Sequence, residues 1–479
     1  MHLGRTALSA TLALALVGCG GGGASNGGGA IAGGGDTPAP TPTPTTSAIQ
    51  EQLAFAEAVL DEWYLFPSLL DNSVRTASFN DVQDYLDARV APARAQDIDR
   101  GFTFATSIAE ENALINSGSS GGSFGVRLIY DVNRDRVFLL EAYENGNAFA
   151  AGMDRGTELL GIATPGETEE SVLDLMRAGG PQAVINALGP NEAGVTRTLR
   201  FVQAGGATVT ANIAKSDFSL DPISDRYGAL IINDGGKQVG YINLRTFIIA
   251  DAANQLEDAF ETFQTNGITE LIIDLRYNGG GLVSVADKFG DLMGAGRVGD
   301  VWSETVLRDS KSAENEAEFF EFEPSAITPT KIAFIGRGGT ASASELVINS
   351  MIPYVDPANI ALIGDNTFGK PVGQFGFDLD EFDLRVRATT FQTNNASGSG
   401  EYYSGLASVV PNTCRAFDDI FIPLGDPRED SIATALDFLA GRPCNAISGE
   451  GIRTQSVDGR ELLQPERPSA VQYQIPGLF

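Results

Sequence analysis

Two serines, Ser342 and Ser344, stand in Thr340-Ala341-Ser342-Ala343-Ser344-Glu345, where an apolar strand (KIAFIG) gives way to an apolar helix (ASELVINSMI). A hydroxyl in the first helical turn meets unsatisfied N–H groups and the positive end of the helix dipole, which favour a developing oxyanion. For Ser342 the Ala343 amide is a natural donor. A serine nucleophile also needs a base. The chain has one histidine, His2, inside a segment read below as an export signal, so imidazole catalysis and a histidine zinc site are excluded from the mature chain. Lysine is the usual substitute. Lys370 lies 28 residues after Ser342, past a further strand and flanked by Phe368 and Val372. It must be neutral to accept a proton, and burial favours that form because the ammonium loses hydration. Upstream, Asp274-Leu275-Arg276-Tyr277-Asn278-Gly279-Gly280-Gly281 closes another apolar strand, and its glycines allow a second backbone to approach closely.

Other formal motifs fail on context. Gly118-Ser119-Ser120-Gly121-Gly122 fits G-x-S-x-G but has no strand before it. Asp131 to Asp135 imitates a calcium loop, yet Arg136 stands where glycine is required and Ala142 where the bidentate glutamate belongs. Gly336 to Ala341 fits G-x-G-x-x-A, but the next strand-end acid, Asp365, comes too late for a dinucleotide site. Gly364 to Lys370 fits a P-loop until Pro371 replaces the magnesium-binding Ser/Thr, and an alternating VGQFGFDL follows instead of a helix.

Three segments, the DLRYNGGG loop, SASE at 342–345 and FGK at 368–370, fall in that order at strand ends. Together they resemble the C-terminal processing (tail-specific) serine peptidases. The resemblance implies Ser342 rather than Ser344 as nucleophile, Lys370 as general base and Gln374 as a third member that accepts from the amine and aims it. It also implies an oxyanion hole of the Gly280 and Ala343 amides, a crotonase-like α/β core, and no cofactor or metal. Partners would be proteins or peptides taken by their C-termini. One departure is Ile352 to Pro357, which lengthens the stretch between serine and lysine.

The elements that must hold these residues are legible as periodicities. The fold class is multi-domain α/β, as roughly 150 residues per domain and a length of 479 imply. Residues 48–115 repeat apolar positions at three and four, as in Leu53, Ala56, Leu60 and Trp63, and read as a helical domain. Residues 116–218 read as short strands, a short helix, the helical SVLDLMRAG and PQAVINAL, and a closing hairpin. That order resembles a circularly permuted PDZ domain. By resemblance Phe124, Gly125 and Val126, after Ser123, form its carboxylate-binding loop. Residues 219–445 alternate strand and helix as a catalytic α/β domain with a covered sheet, and 446–479 read as an extended or disordered extension. The apolar end Pro476-Gly477-Leu478-Phe479 has the character of a tail such a groove accepts.

Residues 1–18 read as a signal peptide, with Arg5 before an apolar run too short to span a bilayer. Leu16-Val17-Gly18-Cys19 resembles a lipobox, which implies lipidation at Cys19; an ordinary signal with a chance cysteine is the alternative. Residues 19–47 are a Gly/Pro/Thr-rich tether. Export and an outer-membrane anchor are expected. Cys414 and Cys444 then form a disulfide or remain two buried thiols. The net charge of −30, from 32 basic against 62 acidic residues, repels phosphate backbones and excludes nucleic acid as a partner. The competing function is a catalytically silent peptide-binding lipoprotein on the same fold. Oligomeric state has no signature in the sequence.

Overall fold

Strands that are apolar at every position need cover on both faces. In the computed structural model, which describes residues 46–447 and 459–479, six strands form one sheet with the apolar runs at its centre. Their order is Asn412–Arg415, Ile360–Gly364, Lys331–Gly336, Glu270–Asp274, Lys237–Asn243 and Ala229–Asp234. The first five pair in parallel and the last closes the edge as a hairpin. Side chains alternate between the faces. Leu271, Ile273, Phe334 and Leu362 pack under the helices Ala252–Thr265, Val283–Met293 and Ala343–Met351. Ile272, Ala333, Ile335 and Ile363 pack against the helix Asp430–Leu439. A disulfide joins Cys414, on the outermost strand, to Cys444.

A second, antiparallel sheet has Leu384–Asn395 at its centre, paired with Phe104–Ser107, Val301–Leu307 and Val372–Leu379. The stretch 48–115 is therefore not wholly helical: Phe104–Ser107 is a strand. The helices Thr46–Trp63 and Val82–Arg89 bury Leu53, Leu60, Tyr85 and Leu86 against Leu384, Val386 and Ala388. Gln374 lies on Val372–Leu379, the strand paired with this one.

The third sheet contains Val126–Asp131, Arg136–Ala142, Glu158–Ala163, Thr196–Val202 and Thr208–Ala214. Its helix, Val172–Leu188, breaks at Gly180 (φ +63°), before Pro181, where the sequence reads as two helices. The last segment departs from expectation. Instead of being extended or disordered it adds the strand Arg460–Leu462 to this sheet and forms the helix Ala470–Gln474. Apolar residues spaced irregularly between prolines show no period, yet Val471, Ile475, Leu478 and Phe479 are all buried.

Beneath the first sheet's C-terminal edge, Arg276 is wholly buried and pairs with Asp274 at 2.8 Å, Glu429 at 2.9 Å and Asp418 at 3.2 Å. Asp418 in turn pairs with Arg155 at 2.6 Å, from the third sheet's turn. Arg276→Met should leave Asp274 and Glu429 without their cation and destabilise the fold by about 3–5 kcal/mol, read as a lowered urea midpoint.

Candidate active site

Three loops leave the C-terminal ends of the adjacent strands Glu270–Asp274, Lys331–Gly336 and Ile360–Gly364, the edge at which open α/β sheets place their sites. They are welded to one another. Ala341 N donates to Asn278 O at 3.1 Å, and Phe368 N to Thr340 O at 2.9 Å. The hydroxyl of Thr340 donates to Leu275 O at 2.7 Å.

The two serines separate at once. Ser344 is buried and its hydroxyl donates to Asn278 O at 2.9 Å. Ser342 is partly exposed, at the N-cap of the Ala343–Met351 helix, with φ 56° and ψ −119°. A non-glycine residue in that conformation costs of order 1–3 kcal/mol, the kind of strain that marks a sharp strand-to-helix turn presenting a nucleophile.

Glu345 provides the main link between serine and lysine. Its wholly buried carboxylate accepts from Ser342 N at 3.1 Å and Lys370 N at 2.7 Å through one oxygen. The other oxygen accepts from Gly369 N at 2.7 Å and the Thr367 hydroxyl at 2.6 Å. Burial pushes this carboxyl up, while Thr367 and the three amides pull it down. Both backbones thus meet on one side chain.

Lys370 Nζ donates to Gln374 Oε1 at 2.9 Å and sits 4.9 Å from the centre of the Phe102 ring. Gln374 Nε2 in turn donates to Phe102 O, which fixes the amide so that its oxygen faces the amine. Burial lowers the amine's pKa to about 8, against the pull of Asp99 and Glu345 and with help from Arg387. In this conformation Ser342 Oγ and Lys370 Nζ are not hydrogen-bonded to each other; the amine is turned to Gln374.

Gly280 (φ +101°) faces the serine closely: a Cβ there would lie 2.7 Å from Ser342 Cβ and 2.8 Å from Ala343 N. Its own N–H donates to Asn278 Oδ1 at 2.9 Å. Gly280→Ala should therefore displace the serine turn and reduce kcat/KM by about 100-fold or more, measured on a peptide substrate beside a thermal melt that reports folding.

Residues 99–103 complete the site, and nothing in their local pattern marks them. Arg100 donates to Phe368 O at 2.8 Å and lies 4.2 Å from the Phe368 ring centre. Asp99 is buried, holding Tyr64 Oη at 2.9 Å and Phe102 N at 2.8 Å. A cavity of about 700 Å³ opens here, lined by Lys370, Gln374, Phe102, Gly279 and Ala341 on one side and by residues of the 462–476 segment on the other.

Phe124, Gly125 and Val126 lie apart from this cluster, at the edge of the third sheet, and contact the chain's own last residues. Cys19 and the expected signal and tether through residue 45 lie outside the described residues. Among the described residues no helix is long and apolar enough to cross a membrane.

The fold is of mixed α/β class with several sheets, and it matches a crystal structure described as an S41 protease from Bacteroides fragilis: TM-score 0.62 at 21% identity, over 81% of this chain and 97% of that one. Residues 238–406, which contain all three site loops, match the model of peptidase family S41. A carboxyl-terminal-processing protease of Picosynechococcus is 24% identical over 59% of this chain, and a chloroplastic C-terminal processing peptidase of Tetradesmus obliquus is 26% identical over 59%. The chain spans 63% and 59% of the lengths of these two relatives.

Proposed function

We propose that this chain is a serine endopeptidase of the C-terminal processing type, acting on exported proteins or peptides through Ser342, Lys370 and Gln374. The observation that supports it most is the Glu345 carboxylate, which brings the Ser342 and Lys370 backbones together beside an amine whose pKa is lowered to about 8. Ser342 Oγ attacks the scissile carbonyl while the neutral Lys370 amine takes its proton. The resulting ammonium returns the proton to the leaving amine, and a water activated by Lys370 then releases the acyl group. The Ala343 amide, at a helical position with no partner inside its own helix, and the Gly280 amide stabilise the oxyanion. In the resting form Gly280 N–H donates to Asn278 and the Lys370 amine to Gln374. Catalytic hydrogen bonds commonly tighten only when substrate is bound.

The same reading keeps 48–115 as an N-terminal region, 116–218 as a PDZ-like domain whose Phe124–Val126 loop takes a substrate C-terminus, and 219–445 as the catalytic domain. Export, with a lipid anchor at Cys19, delivers the enzyme to its substrates. The test is labelling by a serine-directed fluorophosphonate together with hydrolysis of an unfolded protein. Labelling that maps to Ser342 and disappears in Ser342→Ala is expected. Measurable peptide binding without labelling or turnover would instead identify a silent peptide-binding protein.

A further inference from the structure

The edge of the strand Val126–Asp131 is already occupied. Arg460–Leu462 pairs antiparallel with its far half, Leu462 opposite Ile129 and Arg460 opposite Asp131. The chain then turns through the helix Ala470–Gln474 and returns to the near half, where Leu478 bridges Arg127 and Leu128 N donates to Gly477 O at 2.8 Å. Phe479 N donates to Val126 O at 2.9 Å.

The carbonyl oxygen of Phe479 accepts from Gly125 N at 3.1 Å, Val126 N at 3.3 Å and the Ser123 hydroxyl at 2.6 Å. Two successive backbone amides and a hydroxyl thus converge on one oxygen, the donor set of an anion-binding turn. The Phe479 ring is 1% exposed, within a core cluster that includes Phe124, Val126, Leu139 and Met153. This loop thus holds a main-chain oxygen beside a pocket filled by a large apolar side chain.

The same segment reaches the catalytic cleft. Leu462, Gln464, Tyr473, Gln474 and Pro476 line the same cavity as Lys370 and Gln374. Tyr473 stacks on Phe104 with ring centres 4.2 Å apart. A Cβ at Gly279, beside the proposed oxyanion amide, would lie 3.6 Å from Gln474 O and 3.7 Å from Pro476 Cδ. Pro476 is one residue from the strand that fills the groove, so groove and cleft are covered by one continuous peptide.

We propose that residues 460–479 are an internal ligand, holding the groove and narrowing the cleft until a partner polypeptide with a large apolar last residue competes residues 477–479 out of the Ser123–Val126 loop. This rests on the cleft being the peptidase site. A tethered competitor acts at an effective concentration in the millimolar range for short flexible linkers, so it lowers the apparent affinity for any free peptide.

The test uses the full chain carrying Ser342→Ala, so that no probe is consumed, and a dye-labelled peptide ending Pro-Gly-Leu-Phe with a free carboxylate. Fluorescence anisotropy should show binding that tightens tenfold or more in Phe479→Asp and fails when the peptide is amidated at its end. Gln464→Ala removes the side chain that accepts from Gly477 N and donates to Gln472 O, and should tighten binding in the same direction if Phe479→Asp does not fold. In the chain with Ser342→Ala as its sole change, saturating peptide should raise hydrogen exchange at residues 477–479. Equal affinity with and without the tail changes, unaltered exchange at saturation, or no binding in any variant would overturn the proposal. Hydrolysis by the unmutated chain is scored separately: its absence counts against the peptidase reading and leaves the displacement result to stand or fall by itself.

Discussion

Ser342→Ala is expected to lower kcat for peptide hydrolysis by 10⁴-fold or more, the scale on which removing one member of a cooperating nucleophile–base set acts. Ser344→Ala should do far less to chemistry, because that hydroxyl is buried and committed to Asn278 O. A comparison of two replacements at 342 sharpens the expectation. Alanine keeps the burden of φ 56°, whereas glycine adopts it freely. Both variants should be inactive, with Ser342→Gly the more stable by about 1–2 kcal/mol despite glycine's larger chain entropy. Steady-state hydrolysis and urea unfolding of the two proteins provide the check. Equal activity of Ser342→Ala and the unmutated chain would remove Ser342 from the mechanism.

Lys370 has the second large effect, and its sign follows from its environment. A base with a pKa of about 8 is mostly an ammonium at pH 7 and mostly neutral at pH 9. Accordingly kcat/KM should climb about tenfold across that interval, and Lys370→Met should abolish both the activity and the climb. Stability moves the other way for the mutant. The folded amine releases its proton near 8, the unfolded one near about 10.4. Between those values the unfolded chain binds more protons, so stability rises with pH there, and the full burden of the buried charge is felt below pH 8. Lys370→Met, freed of that burden, should be more stable than the unmutated chain at pH 7 by on the order of 1–2 kcal/mol, an advantage that shrinks by pH 10. Urea midpoints of the two proteins at both pH values measure it. A flat pH–rate profile between 7 and 9 would mean that the amine is not the titrating base.

Much of the catalytic sheet was readable because its signals are local. Apolar runs such as KIAFIG and NIALIG, each followed by glycine and a helix start, dictate covered parallel strands whatever lies elsewhere in the chain. The choice between Ser342 and Ser344 is different in kind. Two residues apart, they share composition and context; only the turn geometry leaves one hydroxyl open and buries the other against the 278 carbonyl. Phe104–Ser107 reads as part of a helical stretch for the same reason, since its strand partner lies some 280 residues further on.

From the sequence alone come the expectations that imidazole plays no part, that a strand-end serine and a lysine flanked by apolar residues are the available pair, and that so acidic a chain avoids nucleic acid. These are matters of residue inventory and short-range period. Only the tertiary structure decided that Glu345 bridges the Ser342 and Lys370 backbones, that Phe102 orients Gln374, and that the last residues lie along the edge of the 126–131 strand. Each of these contacts depends on where the packing of whole sheets brings a side chain, a backbone carbonyl or a strand edge, and no spacing within one segment encodes that.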